Sequence, residues 1–284
     1  MKSFFKYLVF FVVILNLVTN MTCFAIEVPN ENNKSIQTID RLQKIKEKGE
    51  ITVLSFNIEP YSYRDPKTGE FSGVDSEIIK ELSKRLGVQK VVVKYISLSN
   101  ALQELANDPN IDLVAQAISI TDERKKLAAF TNPIYTQNEV VVTRKKSNIN
   151  SKEGLKNRII GVLAGTVHES IAGNWKKKGA IKDYITFYDN RSLIVALENK
   201  TIDVMITEHS IGENILQSKS KSDFILLSPE QYKSEAYFNA GYPLKKEDIT
   251  LLNAINENLQ EMKKDGTMYQ IFSKYGLTEK YVLQ

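Results

Sequence analysis

The stretch NEVVVTRKK, residues 138–146, decides the fold because it separates two copies of one sequence pattern. Apolar, strand-like runs alternate with amphipathic, helix-like runs before it, and the same alternation starts again after it. The stretch itself contains three consecutive valines and a threonine, which predict a strand that leaves the first array. A chain that completes one α/β array and then crosses to begin another predicts two lobes.

The array before this stretch has three predicted strands joined by helices. The strands are ITVLSF, KVVVKYI and IDLVAQAI, at residues 51–56, 90–96 and 111–118. The spacing of apolar residues predicts helices over residues 38–49, 74–88, 99–108 and, for a turn or two, 122–130. Two prolines and a Lys-Thr-Gly sequence predict a long loop over residues 57–73.

The array after the stretch repeats the pattern, and the chain then leads back towards the first array. Its strands, RIIGVL, YITFY, IDVMIT and FILLS, start at residues 158, 184, 202 and 224. Predicted helices separate them at 168–179, 191–200 and 210–219. A second extended segment, EAYFNAGYPL at 235–244, then leads to a strongly helical stretch over 247–276.

Strands that alternate with helices at this spacing predict parallel pairing, with helices on both faces of each sheet. The sequence therefore predicts the α/β class, with two Rossmann-like lobes whose sheets are mixed but mostly parallel. Hinge strands at 138–143 and 235–242 would join the lobes, with a ligand cleft between them. The first lobe is expected over 38–137 and again over 241–284, and the second over 138–240.

Residues 1–25 have the features of a targeting segment and are excluded from the fold. Two lysines precede LVFFVVILNLV, an apolar run too short to span a bilayer comfortably, so we expect a signal peptide that is cleaved after Ala25. Cys23 leaves a lipid anchor open, although Asn-Met-Thr before it fits a lipobox poorly, and an uncleaved anchor is a third alternative. Polar residues 26–37 predict a flexible leader. The expected location is the periplasm, or the outer face of the cell membrane if Cys23 is lipidated.

The composition argues against several classes of function. The chain has 284 residues and a net charge of +4, which falls to +2 when residues 1–25 and their two lysines are removed. A nucleic-acid partner usually requires a strong basic excess, so none is expected. The single cysteine lies within residues 1–25, so the rest of the chain has no disulfide or thiolate site. His168 and His209 are too few for a histidine-rich metal site, and we expect no metal or cofactor.

Ligands of open parallel sheets bind beyond the carboxyl ends of strands, so the strand-to-helix junctions carry the candidate site. The first junction is AISITDER, residues 117–124, where Ser119 and Thr121 supply hydroxyl groups and Thr121 is a good helix N-cap. Arg124 would lie in the first helical turn, where the helix dipole disfavours a cation by about 0.3–1 kcal/mol. A ligand carboxylate would reverse that sign through a bidentate pair. The alternative is a solvent-facing arginine that pairs with Asp122 or a neighbouring glutamate.

Two further junctions complete the candidate site. In GVLAGTVHESI, residues 161–171, a strand, Ala-Gly-Thr and a helix form the layout of a small anion site, although Thr166 and Glu169 also fit a capping box. Glu208 follows the strand IDVMIT, where its carboxylate would bind an ammonium group or simply interact with the next helix dipole. An arginine on one lobe, with an anion site and a carboxylate on the other, matches the charges of an α-amino acid.

Two other features suggest chemistry less strongly. His168 and His209 resemble an acid–base pair, but no nucleophile or paired carboxylate accompanies them, so we do not expect an enzyme. Trp175 lies in NWKKKG at a basic helix end, and we expect it to pack in the core and not to contact a ligand.

The resemblance to one protein family rests on five stretches: GVDSEIIKELSKRLG, IDLVAQAISITDERKKLAAFTNPIY, IIGVLAGTVHESI, IDVMITE and LLNAINENLQEMKKDGTMYQIFSKYGL. They look like the extracytoplasmic solute-binding proteins of ABC transporters for polar amino acids (family 3, with the type II periplasmic binding protein fold). The likeness covers about residues 40–278, and its most specific part is S-I-T-x-x-R followed by F-T-x-P-x-Y. It implies two α/β lobes that close on the ligand.

The resemblance also implies roles for individual residues. Arg124 would bind the ligand α-carboxylate, and Ser119 would bind the ligand beside it. Thr166 and the backbone N–H of Val167 would hold the same carboxylate from the second lobe. Glu208 would bind the α-amino group at a position where the family usually has aspartate, which is one methylene shorter.

Three further positions depart from the family pattern. Ala117 stands where serine or glycine is frequent, and offers only its carbonyl oxygen to an ammonium group. The two positions where aromatic side chains often enclose the ligand correspond to Ile58 and Ser99, which are not aromatic. Tyr61 and Tyr63 are candidate substitutes, and the sequence leaves the ligand side chain unassigned.

The sequence therefore predicts an extracytoplasmic, monomeric protein that binds an amino acid or a similar small zwitterion. It would close like a hinge and pass the ligand to the permease of an ABC transporter without breaking a bond. Two alternatives remain open. A dehydratase-like enzyme on the same fold would use Glu208 as an acid, and a sensor would present its ligand-bound lobes to a separate membrane receptor.

Overall fold

The computed structural model describes residues 40–217 and 223–277. The predicted signal peptide, the leader and Cys23 lie outside the described residues, as does the end of the returning segment, residues 278–284. Within the described ranges, no helix has the length and the apolar character that a membrane crossing requires.

Fourteen strands are found in the described residues, and they form a five-stranded sheet, a seven-stranded sheet and a small hairpin. In chain order, the strands are β1 (Glu50–Ser55), β2 (Tyr63–Arg64), β3 (Phe71–Ser72), β4 (Lys90–Tyr95), β5 (Leu113–Val114), β6 (Ile118–Ser119), β7 (Ala129–Phe130), β8 (Tyr135–Arg144), β9 (Ile159–Leu163), β10 (Asp183–Phe187), β11 (Val204–Glu208), β12 (Phe224–Leu226), β13 (Tyr237–Gly241) and β14 (Pro243–Leu244).

Nine α-helices are found in the same part of the chain. They are α1 (Arg41–Lys48), α2 (Val74–Arg85), α3 (Ala101–Asn107), α4 (Asp122–Lys125), α5 (Val167–Lys177), α6 (Asn190–Glu198), α7 (His209–Gln217), α8 (Ile249–Lys264) and α9 (Thr267–Lys274). Each of them falls within or beside a segment for which the sequence predicts a helix. The alternation of strands and helices therefore confirms the predicted α/β class.

The five-stranded sheet has the order β4-β1-β5-β14-β7. β1 is parallel to β4 and β5, whereas β14 is antiparallel to both β5 and β7. Helices α2, α8 and α9 contact one another beside it. The apolar positions that predict α2 are all buried in the core, as the helical spacing requires: Val74, Ile78, Ile79, Leu82 and Leu86.

The seven-stranded sheet has the order β10-β9-β11-β8-β13-β6, with β12 also paired to β8. β9 is parallel to β10 and β11, whereas β8 is antiparallel to β11, β12 and β13. Antiparallel pairing is thus more extensive than the alternation predicts, because β8 and β13 run against their neighbours. Trp175 is buried in a cluster beside this sheet and packs edge-on against Tyr232, which confirms its predicted packing role.

The two predicted crossing segments are neighbours in space. Strand β13 pairs with the first half of β8, in a register that places Tyr237 opposite Asn138 and Ala240 opposite Tyr135. The carboxylate of Glu139 in β8 is buried and accepts hydrogen bonds from the hydroxyl of Tyr232, at 3.1 Å, and from the backbone N–H groups of Glu235 and Ala236. The side chain of Glu139 therefore holds the backbone of residues 235 and 236, just before β13, in place.

The predicted strand over residues 111–118 is wrong in one respect, since the chain divides there into β5 and β6. β5 belongs to the five-stranded sheet and β6 to the seven-stranded sheet. Between them, the N–H of Ala117 donates to the carboxylate of Asp75 at 3.2 Å. The side chain of Asp75 thus takes the place of a neighbouring strand as the hydrogen-bond partner of Ala117. The continuous apolar run gives no sign of this break in the strand. The predicted loop over 57–73 also contains the hairpin of β2 and β3.

Gly73 allows a tight approach between α2 and the loop that precedes it. The first N–H groups of the helix, from Val74 and Asp75, donate to the carbonyl oxygens of Pro60 and Tyr61 at 3.0 and 2.8 Å. Gly73 has a φ of +111°, and a Cβ atom at this position would lie 2.3 Å from the carbonyl oxygen of Tyr61. Only glycine fits there, since both its backbone angle and its lack of a side chain are needed.

We therefore predict that Gly73→Ala destabilises the protein by about 3 kcal/mol or more, because strain and a backbone clash add together. Gly87→Ala is the matched control: Gly87 also has a positive φ, of +76°, but no atom lies within 4 Å of the added Cβ. Its expected cost is about 1 kcal/mol. Urea unfolding of the two variants measures the difference, and equal losses would contradict the close-approach explanation.

Candidate functional site

Arg124 links two strand-to-helix junctions. The hydroxyl of Thr121 caps α4 by accepting the N–H of Arg124 at 3.2 Å. The guanidinium donates one hydrogen bond to the carbonyl oxygen of Ser119, at 2.7 Å, and another to that of Gly165, at 2.8 Å. Ser119 ends β6 and Gly165 lies just before α5, so a single side chain joins the two junctions.

The guanidinium of Arg124 is a half-buried cation without an anionic partner. Within residues 40–217 and 223–277, no carboxylate oxygen lies within 4.0 Å of it. Asp122, the alternative partner considered from the sequence, is exposed and pairs with Lys125. Burial lowers the pKa of Arg124 to about 10, with the charge of Glu208 acting in the opposite direction. The group therefore stays charged at neutral pH and favours a nearby anion.

The start of α5 adds N–H groups beside that charge. The hydroxyl of Thr166 caps the helix by accepting the N–H of Glu169 at 3.4 Å, and donates to the carbonyl oxygen of Leu163 at 2.7 Å. The carboxylate of Glu169 accepts the N–H of Gly165 at 2.7 Å, so the predicted capping box forms one residue early. Among the described residues, the N–H of Val167 has no hydrogen-bond partner, as is usual in a first helical turn.

Glu208 supplies the carboxylate of the site at the end of β11. Its Oε2 atom is buried and has no hydrogen-bond partner among the described residues. Burial raises the pKa of Glu208 to about 7; the hydroxyl of Tyr61 and the charge of Arg124 oppose this rise, and the charge of Asp75 adds to it. At neutral pH, the neutral and the ionised forms of this carboxyl group are therefore both populated.

Asp75 forms a second buried carboxylate close to Glu208. It is fully buried in the first turn of α2, where it accepts hydrogen bonds from the hydroxyls of Tyr242, at 2.8 Å, and Tyr135, at 3.2 Å, as well as from the N–H of Ala117. Burial raises the pKa of Asp75 to about 7 in spite of these bonds. Asp75 thus holds the backbone of the first junction in place.

One cavity brings together seven of the nine residues predicted to bind a ligand: Ile58, Ala117, Ser119, Arg124, Thr166, Val167 and Glu208. The cavity offers about 20 Å³ for the centre of a water-sized sphere, which is room for about one water molecule. Entry of a larger molecule therefore requires the surrounding elements to separate.

Ser119 and Ala117 also have hydrogen-bond partners. The hydroxyl of Ser119 donates to the side-chain oxygen of Gln137 at 3.2 Å. The carbonyl oxygen of Ala117 lies 3.4 Å from the hydroxyl of Tyr135, whose one proton it shares with the nearer Asp75. Among the described residues, the guanidinium of Arg124 and Oε2 of Glu208 have no counter-charge in contact.

Tyr61 and Ser99 do not line the cavity, which differs from the expectation. Tyr61 is buried behind it, with its ring stacked on that of Tyr135 at 5.4 Å and its hydroxyl bonded to that of Ser210. Ser99 is exposed, and its Cα atom lies 2.7 Å from where a Cβ of Gly165 would be. Tyr61 therefore supports the site from behind, and Ser99 packs closely on the second junction.

Several lining residues are not among those predicted from the sequence. Gln116 is one of them, and a polar residue within the apolar run IDLVAQAI is the feature that could have predicted it. His168 lines the cavity as well, but burial, together with the charge of Arg124, lowers its pKa to about 4, so it is neutral at pH 7. His209 is not among the lining residues and bonds to Glu213. In the described part of the chain, no three His, Cys, Asp or Glu side chains are grouped to hold a metal ion.

Comparison with known proteins gives consistent matches. Residues 51–278 match the family described as bacterial extracellular solute-binding proteins, family 3. The lysine/arginine/ornithine-binding periplasmic protein of Escherichia coli (strain K12) is 30% identical over 222 residues, which cover 76% of this chain and 83% of that protein. The histidine-binding periplasmic protein of the same organism is 30% identical over 212 residues, covering 73% of this chain and 80% of that protein.

The fold is also found among solved structures. An ancestral arginine-binding protein bound to arginine superimposes with a TM-score of 0.72 at 25% sequence identity, covering 80% of this chain and 98% of that chain. This likeness agrees with the two-lobed α/β class predicted from the sequence.

The raised pKa of Glu208 predicts a defined effect on stability. A carboxyl group whose pKa rises from 4.5 in the unfolded chain to about 7 in the folded protein stabilises the fold at low pH, and this contribution is lost as the pH rises through 7. Relative to Glu208→Gln, the wild-type protein should therefore lose about 2 kcal/mol of stability between pH 5 and pH 8.5. Urea unfolding across that range measures the difference.

Glu198→Gln is the control for this measurement, because Glu198 is exposed. Its stability should follow that of the wild-type protein at every pH. Identical pH profiles for wild type and Glu208→Gln would show that Glu208 is not buried as described.

Proposed function

Because the chain belongs to family 3 of the bacterial extracellular solute-binding proteins, we propose that it binds an amino acid or a similar small zwitterion outside the cytoplasm. It then delivers this ligand to the membrane permease of an ABC transporter. The names of its relatives, which bind lysine, arginine, ornithine or histidine, support the ligand class. One observation carries the proposal: among the residues that the structure describes, a half-buried guanidinium with no carboxylate in contact shares a cavity with a carboxylate oxygen that has no hydrogen-bond donor.

The carboxylate of the ligand would bind at Arg124. A carboxylate is a stronger acceptor for a guanidinium than the carbonyl oxygens of Ser119 and Gly165, which hold the side chain now. The N–H of Val167 at the start of α5 is available as a second donor, with the helix dipole favouring negative charge there. The hydroxyl of Thr166 already donates to Leu163, so its main contribution is to hold the helix start in place.

The ammonium group of the ligand would bind at Glu208. It would give Oε2 the donor that this buried atom lacks, and would favour the ionised carboxylate. The carbonyl oxygen of Ala117 lines the same cavity, and it has a second lone pair for that group beside its long contact with Tyr135. Arg124 and Glu208 then have the opposite charges at one site that an α-amino acid requires.

We further propose that the protein acts by closure and not by catalysis. The proposed lobes have the boundaries expected from the sequence: residues 38–137 and 241–284 form one side of the cleft, and residues 138–240 form the other. The small cavity is consistent with a closed arrangement, from which hinge motion at 138–143 and 235–242 would release the ligand. The relatives are named as binding proteins, which supports a binding function over a dehydratase-like one. Action as a monomer and release after cleavage at Ala25 are part of the same proposal.

Thermal-shift screening of the purified protein against the twenty amino acids tests this function. At least one amino acid should raise the unfolding midpoint, since a ligand that binds only the folded state stabilises it. Arg124→Ala should weaken the affinity for that ligand by roughly a hundredfold or more, because the variant leaves the ligand carboxylate without its buried partner. Titration calorimetry measures the loss.

Arg191→Ala is the matched control, since Arg191 is an exposed arginine outside the cavity. It should bind as the wild-type protein does. The unliganded Arg124→Ala protein should still fold, because the loss of two hydrogen bonds to backbone carbonyl oxygens is offset in part by the removal of a half-buried cation. Unchanged ligand affinity in Arg124→Ala would refute the carboxylate assignment.

A further inference from the structure

Beyond the zwitterion site, the cavity is lined mainly by aliphatic side chains. Six of them contribute: Ile58, Leu98, Ile118, Leu163, Ile206 and Ile211. All except Leu98 are at least nine-tenths buried, and Leu98 is half-buried. None of the six has a group that could compensate a charge on the ligand side chain, and the polar side chains of Gln116 and Thr207 beside them are uncharged.

These aliphatic residues come from both sheets. Ile58 and Leu98 follow β1 and β4 of the five-stranded sheet, and Leu98 begins a 3₁₀ turn. Leu163 and Ile206 belong to β9 and β11 of the seven-stranded sheet, and Ile211 lies in the first turn of α7. A ligand side chain enclosed here would therefore contact hydrocarbon from two directions.

The charges of the cavity match a ligand without net charge. Among the described lining residues, only Arg124 and Glu208 are ionisable groups that carry charge near neutral pH, since His168 is held neutral by burial. One cation and one carboxylate are used by the α-carboxylate and the α-ammonium of an amino acid. Neither an acidic nor a basic ligand side chain would then find a counter-charge, and its burial would be costly.

Resting on the proposed function, we propose that the ligand is an amino acid with an uncharged aliphatic side chain. The similar proteins described above are named for ligands with cationic or imidazole side chains, so sequence similarity alone would suggest a different ligand. The chemistry of this cavity favours hydrocarbon, because each buried methylene adds roughly a fourfold gain in affinity and a charged group adds a desolvation cost.

Titration calorimetry with alanine, valine, leucine, glutamine, lysine, arginine and glutamate tests the proposal. The tightest binding is expected for an aliphatic member, by at least about tenfold over lysine, arginine and glutamate. A charged amino acid or glutamine that binds more tightly than every aliphatic one would overturn the aliphatic assignment but leave the amino-acid function in place. Absence of binding by these seven, together with no thermal shift from any of the twenty amino acids, would overturn both.

Substitution at Leu98 provides an independent test, because this residue of a 3₁₀ turn is only half-buried and packs at the margin of the core. Leu98→Asp adds the carboxylate that a basic side chain lacks, and should raise the affinity for lysine by roughly tenfold while lowering that for leucine. Leu98→Asn is the isosteric control and should lower leucine binding without the gain for lysine. Unchanged leucine and lysine affinities in both variants would show that the ligand side chain does not lie against this surface.

Discussion

A guanidinium that is partly withdrawn from water must have oxygen partners, and this requirement organises the site. Arg124 meets it with two backbone carbonyl oxygens, one from each of two strand-to-helix junctions. Neither oxygen carries a full charge, so the cation is hydrogen-bonded but not neutralised. The proposed recognition of a ligand depends on this imbalance, because a ligand carboxylate is the group that would neutralise the cation.

The backbone around Arg124 is itself held by a buried carboxylate. Asp75, at the start of α2, accepts bonds from the N–H of Ala117 and from the hydroxyls of Tyr135 and Tyr242. Those three residues belong to the first junction, to β8 and to the segment between β13 and β14. One side chain of α2 therefore connects β8 and the segment between β13 and β14 to the junction that carries Arg124.

Local patterns predict most of the fold, and they also predict candidate residues for the site. Apolar spacing predicts α2, and the junction rule predicts Arg124 and Glu208 as ligand-binding residues, because both depend on residues close together in the chain. The break between β5 and β6 is not predictable in this way, since it depends on Asp75, which is 42 residues away from Ala117. The position of Tyr61 outside the cavity lining has the same cause. Its ring is directed behind the cavity by Tyr135 and by the distant Ser210.

The measurement that tests the central claim most directly compares the best amino-acid ligand with its own primary amide, by calorimetry on the wild-type protein. The amide keeps the ammonium group and the side chain but removes the negative charge. If Arg124 is a cation that awaits a carboxylate, the amide should bind at least about a thousandfold more weakly. Equal affinities for the acid and the amide would contradict the account, since the half-buried guanidinium would then play no part in recognition.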